Sequence, residues 1–152
     1  MNIPAPENEA CEPWRRRIEQ FVDIDSKQPR GHENRSKAYT DLRDSVYSHT
    51  DGCADCADFE LKLRCRIEGI AVGEYPCVHV AYYSTVLCDT HENGWDCTDV
   101  SVVFDENGDW GLPVRDQEDG SAETMIRIRH CPWCGTALGS APKPPPEPED
   151  KP

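Results

Sequence analysis

Two cysteine pairs with the spacing Cys-x-x-Cys constrain this chain more than any other feature of its sequence. They are Cys53-Ala54-Asp55-Cys56 and Cys131-Pro132-Trp133-Cys134. Two thiolates in such a turn can both bind one Zn²⁺ at about 2.3 Å, and two turns complete a tetrahedron. In the second pair, proline fixes the turn, and Gly135 after it permits the positive φ that points backbone N–H groups at the sulfurs. The spacing therefore predicts a structural zinc site built from both pairs.

A ten-residue loop between the two pairs offers three more candidate ligands, Cys88, His91 and Cys97. Their residue types are those that zinc prefers, so a second site is possible. The seven candidates meet at one end of a sheet if residues 105–122 are mainly loop. If residues 110–114 form a full strand, the last pair lies at the far end. If all seven do meet at one end, they are one fewer than two separate tetrahedra require. In that case either one zinc ion binds, or a thiolate bridges two ions, or His49 or His130 contributes a further ligand.

The sequence indicates other roles for the remaining cysteines. The chain has nine cysteines among 152 residues, an odd number that argues against complete disulfide pairing. Cys65 and Cys77 are expected to be small core residues, and Cys11 a free thiol. Clustered thiols indicate metal binding in a reducing compartment. Because the start of the chain has no secretion signal and no apolar run spans a membrane, we expect a cytoplasmic location.

The charge distribution bears on the kind of partner. The formal net charge is −13, and residues 51–139 carry seventeen acidic against six basic side chains. Phosphate backbones are attracted by lysine and arginine, so direct nucleic-acid binding is disfavoured. The composition instead indicates a basic protein partner. It also makes a membrane partner unexpected.

Periodicity predicts an α+β fold, with two N-terminal helices packed on a small antiparallel sheet carrying zinc-ribbon-like knuckles. Apolar residues recur at helical spacing after Pro13 and again within residues 33–48. Beyond Gly52 they alternate, which predicts strands over residues 58–70 and 77–88, joined as a hairpin, then around residues 100–104 and 124–130. Between the last two we expect a turn at Asn107-Gly108 and at best a short strand at 110–114. The expected organisation is a flexible N-terminus (1–10), a helical part (11–50), a zinc-binding β module (51–139) and a disordered Pro-rich tail (140–152).

The segment from Cys88 to Leu138 resembles a family of small uncharacterised bacterial and phage proteins. The shared features are the Cys88-Asp89-Thr90-His91 loop with its Asp96-Cys97-Thr98-Asp99 turn, the Gly111-Leu112-Pro113-Val114 stretch, and the ending Cys131-Pro132-Trp133-Cys134-Gly135. The resemblance implies a zinc-ribbon-like module and a bacterial or phage origin, and it carries no known activity.

These observations favour a non-enzymatic zinc-binding adaptor that presents an acidic surface, with Trp95, Trp110 and Trp133, to a basic partner. One alternative is a DNA-mimic inhibitor of a host nucleic-acid-binding protein. Another is an enzyme, either a dithiol oxidoreductase using a Cys-x-x-Cys pair or a small zinc hydrolase. No catalytic residue is assigned, and the oligomeric state stays open.

Overall fold

The computed structural model describes residues 11–28 and 35–140 of the chain. Within these residues the fold is α+β, with four helices and one three-stranded antiparallel sheet. None of the described helices is both long and apolar enough to cross a bilayer. The chain divides into two compact units, Met1–Ile70 and Ala71–Pro152. The predicted flexible N-terminus and, apart from Ser140, the predicted Pro-rich tail lie outside the described residues.

The first unit begins with the two predicted helices, and both are confirmed. Helix α1 spans Glu12–Ser26, with Pro13 in its first turn, and buries Ile18, Phe21 and Val22. Helix α2 spans Lys37–Thr50, and the hydroxyl of Ser36 caps it by accepting a hydrogen bond from the backbone N–H of Tyr39. The apolar faces of both helices meet in one core.

A third helix, α3, spans Ala54–Ile67 and corrects the predicted strand over residues 58–70. Its side chains alternate in polarity, but Leu61 and Cys65 also lie four positions apart, the spacing of one helix face. Alanine, leucine, glutamate, lysine and arginine favour helix, and their summed preference outweighs the alternation. Ile67, expected inside a sheet, is 51% exposed. Helix α3 packs on α1 and α2, so the first unit extends to Ile70.

An ion-pair network joins the three helices of the first unit. The carboxylate of Asp25 in α1 accepts hydrogen bonds from Arg64 of α3 at 2.8 Å and from Arg35 at 2.8 Å. The hydroxyl of Tyr39 in α2 also donates to Asp25. Burial tends to raise the pKa of Asp25, but the hydrogen bonds from Tyr39 and both arginines outweigh it and lower the pKa to about 2.

The second unit starts with a 3₁₀ turn at Val72–Glu74 and a short helix, α4, at Val78–Thr85. Helix α4 replaces the predicted strand over residues 77–88. Its β-branched residues favour a strand by propensity, but Val78, Val80 and Ala81 are all buried as a helix, so tertiary packing decides its conformation. The predicted hairpin of residues 58–70 and 77–88 is therefore wrong.

The sheet follows in the order β1 (Val103–Phe104), β2 (Trp110–Arg115) and β3 (Ala122–Arg127). Pairs such as Phe104↔Trp110 and Leu112↔Ile126 set its antiparallel register. The predicted turn at Asn107-Gly108 joins β1 to β2, with Gly108 at φ 80°. Residues 110–115 thus form a full strand, where the sequence suggested at best a short one. Trp110, expected on the surface, is only 2% exposed and lies in the core of this unit.

Candidate metal centres

Eight of the nine cysteines lie in three separate groups, each with one histidine. None of the nine forms a disulfide. Within each group the candidate ligand atoms all lie within 4.8 Å of one another, close enough to hold one metal ion. We name each group by its histidine: the His49 cluster (Cys11, His49, Cys53, Cys56), the His79 cluster (Cys77, His79, Cys131, Cys134) and the His91 cluster (Cys88, His91, Cys97).

The His49 cluster lies where the ends of three helices meet. Cys11 immediately precedes α1, and His49 lies in the last turn of α2. Cys53 caps the start of α3, and Cys56 lies in its first turn. The α2–α3 connection is a tight turn in which the N–H of Cys53 donates to the carbonyl of Thr50. An ion bound here would therefore tie all three helices together.

The geometry of the His49 cluster fits a tetrahedral ion. The sulfurs of Cys11 and Cys53 lie 3.7 Å apart, although 42 positions separate them in sequence. Two thiolates on a tetrahedral Zn²⁺ at about 2.3 Å are separated by about 3.8 Å. The Nε2 atom of His49 is buried and has no hydrogen-bond partner among the described residues. A buried polar atom without a partner is costly, and a metal ion within reach of three sulfurs would satisfy it.

The His79 cluster joins the start of α4 to the predicted second knuckle. Cys77 directly precedes α4, and His79 lies in its first turn. Cys131 and Cys134 come from the turn after β3, so the site closes a path of more than fifty residues. Cys131 and His79 are buried, whereas Cys134 is exposed. The site therefore lies at the edge of the unit, with one thiol facing solvent.

The turn at Cys131–Cys134 has the predicted knuckle geometry. Gly135 has a φ of 70°, and its N–H donates to the carbonyl of Cys131 at 2.9 Å. The N–H of Cys131 in turn donates to the carbonyl of Thr136 at 2.8 Å. These two backbone hydrogen bonds close the turn. The positive φ predicted for Gly135 is confirmed.

The His91 cluster has three candidate ligands on one loop. The sulfur of Cys88 lies 2.9 Å from Nδ1 of His91, and the N–H of Cys88 donates to the sulfur of Cys97 at 3.3 Å. Cys97 is fully buried, while Cys88 and His91 are only partly covered. The cluster is therefore open to solvent on one side.

Arg115 holds this loop in place, a role that the sequence did not indicate. Its guanidinium donates hydrogen bonds to backbone carbonyls across the loop, among them those of Gly94, Trp95 and Val100. It also donates to the carbonyl of Cys97, one of the three candidate ligands. These contacts link β2 to residues 94–100 and so hold the Cys97 end of the loop on the sheet.

The His79 and His91 clusters are complete within a stretch that matches a protein-family model. Residues 74–144 match DUF6980, a domain of unknown function. The resemblance noted over Cys88–Leu138 falls inside this DUF6980 segment. No curated protein and no solved structure matches the chain. The His49 cluster lies outside DUF6980, in the helical unit that precedes it.

The structure regroups the seven predicted ligands. The two Cys-x-x-Cys pairs do not share a cluster: Cys53 and Cys56 join Cys11 and His49, and the DUF6980 pair Cys131 and Cys134 joins Cys77 and His79. The expected convergence at one sheet end fails because residues 54–67 and 78–85 are helices, so no long hairpin brings the pairs together. The grouping of Cys88, His91 and Cys97 is the one that the sequence indicated.

Three further candidate ligands were assigned other roles or none, namely Cys11, Cys77 and His79. Two local patterns could have indicated the clusters: His49-x-x-x-Cys53-x-x-Cys56, and Cys77-x-His79 at a helix start. Cys11 has no such pattern, because only the packing of α1 on α3 brings it close. Cys65 is fully buried on α3, as expected for a core residue.

The thiol pKa values of the His49 cluster reflect the close packing of its cysteines. The backbone N–H of Cys56 lowers the pKa of Cys53, whereas burial and the neighbouring thiols of Cys53 and Cys11 raise the pKa of Cys56 to about 12. Several adjacent thiols cannot all ionise without a cation. In the DUF6980 segment, burial likewise raises the pKa of Cys77 to about 12. A divalent ion would remove this repulsion and allow all the thiolates to form.

Proposed function

We propose that this protein is a non-enzymatic zinc-binding protein, a small bacterial or phage adaptor whose acidic surface binds a basic protein partner. One observation carries the zinc assignment: two clusters, each of three cysteines and one histidine, in two separate compact units. Three thiolates and one imidazole form a closed donor set typical of structural zinc. Soft thiolate ligands also favour zinc over calcium or magnesium.

The role of zinc in this proposal is to stabilise each unit. The His49 cluster takes ligands from all three helices of the first unit. The His79 cluster connects α4 to the chain segment after β3. Because such ligands come together only in the folded chain, metal binding and folding form one equilibrium. Both sites are closed by four protein ligands, which favours a structural over a catalytic role.

The partner assignment is supported by charge. Residues 71–140 contain twelve acidic and three basic side chains, a formal charge of −9. Two of the three arginines are engaged within the unit: Arg115 bonds backbone carbonyls, and Arg127 pairs with Asp105 and Asp109. The charge that this unit presents to a partner is therefore predominantly negative. Complementary charge increases the rate of association and makes it sensitive to salt.

The surface around the His79 cluster supplies an aromatic contact for this partner. Trp133 is 43% exposed, and its ring stacks on Tyr83 at 4.4 Å. The ring is therefore held in one orientation while one part of it stays in solvent. An exposed tryptophan on a unit of negative net charge suits a partner rich in lysine and arginine, since cations bind aromatic faces.

Two measurements test the zinc assignment and the partner assignment separately. The melting temperature of the zinc-loaded protein should fall sharply when a chelator is added, and it should recover on addition of Zn²⁺ but not of Mg²⁺. Binding to a basic protein captured from bacterial lysate should be lost at high salt and in a variant with Glu106→Gln, Glu118→Gln and Glu123→Gln, three exposed positions. Unchanged melting after metal removal contradicts the zinc assignment. Capture that is equally strong in the neutralised variant contradicts the partner assignment.

Competition with duplex DNA distinguishes the DNA-mimic alternative. If the captured protein is a nuclease or repressor, and DNA displaces this protein from it, the acidic surface occupies a DNA groove. For the oxidoreductase alternative, a Cys131→Ser, Cys134→Ser variant is compared with wild type in an insulin-reduction assay. Equal activity in both dismisses that alternative.

A further inference from the structure

The His91 cluster differs from the two closed clusters in the number of its ligands. Among the described residues, only Cys88, His91 and Cys97 contribute ligand atoms that all lie within 4.8 Å of one another. Zinc and cobalt ions with thiolate and imidazole ligands prefer four-coordination. A metal held by these three residues therefore keeps one position for a ligand from outside the cluster.

Arg115 and Asn93 hold the backbone of the loop around Cys97. Arg115 bonds four of its backbone carbonyls, including that of Cys97. Asn93 accepts hydrogen bonds from the N–H groups of Trp95 and Asp96 through its side-chain oxygen. These contacts fix the backbone on both sides of Trp95 and hold the Cys97 end of the site in place.

Asp96 is the acidic residue directly before Cys97, and its carboxylate is already engaged. The side-chain amide of Asn93 donates to it at 2.6 Å. Binding a metal would cost Asp96 its hydrogen bond from Asn93, so the turn disfavours Asp96 as a fourth ligand. Because Cys88 and His91 are only partly covered, a ligand from solvent can reach the site.

We propose that the His91 cluster binds a third metal ion through two thiolates and one imidazole, and that its fourth position takes an exchangeable neutral nitrogen donor. Water occupies this position when no donor is present. The inference goes beyond the proposed function, which requires only the two closed clusters.

Local charge selects the class of donor. A divalent ion with two thiolates is neutral, and the loop around it carries four exposed acidic residues, Asp89, Glu92, Asp96 and Asp99. An anionic donor such as azide is repelled by these carboxylates. A neutral imidazole is not, so a histidine side chain of a basic partner suits the site.

Cobalt spectroscopy tests the proposal, because Co²⁺ binds the same ligands as zinc and reports changes in its coordination. The metal-free full-length chain is loaded with three equivalents of Co²⁺, and imidazole and azide are titrated separately. We expect imidazole to shift the d–d absorption of about one third of the cobalt, at concentrations at least tenfold lower than azide requires. A His91→Ala variant should bind two equivalents and lose the response. A His130→Ala variant, altered at an exposed histidine outside all three clusters, should keep both.

A second measurement removes any dependence on correct folding of the variant. In the wild type, the third equivalent of Co²⁺ or Zn²⁺ should protect the partly exposed Cys88 from alkylation, and excess imidazole should leave that protection in place. A chain that binds only two equivalents overturns the proposal and leaves the closed clusters standing. If a third ion binds but imidazole does not change its spectrum, the open position is overturned. If azide binds that ion more tightly than imidazole does, the donor class is overturned.

Discussion

The indole of Trp14 stacks on the imidazole of His49, with ring centroids 4.2 Å apart and ring planes 4° from parallel. Trp14 lies in the first turn of α1 and His49 in the last turn of α2, so the contact joins the two helix ends beside the His49 cluster. Stacking fixes the plane of the imidazole, and the plane decides where Nε2 points. Groups that orient a ligand affect metal affinity even though they do not touch the ion.

Replacing Trp14 by leucine should therefore weaken zinc binding at the His49 cluster by about tenfold, since outer residues that orient a ligand contribute on that scale. The measurement is competition with a chromogenic chelator. The His79 cluster in the same variant serves as an internal control and should keep its affinity. Equal weakening at both clusters would indicate a global loss of stability, and no weakening would show that the stacked ring is not needed.

The conformation of Gly135 gives a second prediction. Its φ of 70° is unfavourable for any residue with a Cβ, yet an added Cβ would meet nothing within 4 Å. Gly135→Ala should thus cost about 1 to 2 kcal/mol through the backbone alone, lowering zinc affinity at the His79 cluster by about tenfold. Gly139→Ala is the matched control, because Gly139 has equal space and no positive φ. Equal effects of the two substitutions would contradict the knuckle geometry.

Arg115 supports a third prediction. Arg115→Lys keeps the positive charge but cannot reach the same set of carbonyls, so several partly buried acceptors in the loop lose their donors. We expect a loss of about 2 to 4 kcal/mol in the free energy of unfolding, and faster hydrogen exchange across residues 88–100. Arg129→Lys, at an exposed position, should change stability by less than about 0.5 kcal/mol. A similarly small change for Arg115→Lys would show that the loop keeps its conformation without the Arg115 hydrogen bonds.

Asp25 gives a prediction for pH dependence. Its pKa in the folded chain is about 2, below its ordinary value of 3.8, so the folded state favours the ionised carboxylate. The stability that it contributes, about 2 kcal/mol, is complete above pH 4.5 and is lost as the pH falls from about 4 toward 2. The difference in unfolding free energy between wild type and Asp25→Asn should hence stay constant from pH 7 to 4.5. Zinc release over this range affects both proteins equally and cancels. A difference that already shrinks between pH 7 and 5 would contradict the low pKa.

Local signals in the sequence predicted those parts of the structure that depend on neighbouring residues. Pro13 and the helical spacing after it gave α1, Asn107-Gly108 gave the turn between β1 and β2, and Gly135 gave the knuckle. The loop of Cys88, His91 and Cys97 was also identified, because its three ligands lie within ten residues. Each of these features is decided by a short stretch of chain.

Features that depend on long-range packing were missed. Leu61 and Cys65 fit a strand by alternation and a helix by their four-residue spacing. The helix preference of the segment and its packing on α1 and α2 together select the helix. That one choice also decides the metal sites. As a helix, α3 brings Cys53 to Cys11, whereas a strand would have carried the first Cys-x-x-Cys pair toward the Cys88–Cys97 loop.

Native mass spectrometry of the full-length chain, reduced and reconstituted with zinc, tests the separation of the two closed sites most directly. After competition with a moderate chelator, the wild type should retain two zinc ions, and Cys11→Ser and Cys77→Ser should each retain one. The double variant should retain none. Two results would contradict the separate clusters. The wild type could retain no zinc, or it could retain a single ion that is lost when either Cys53 or Cys131 is replaced.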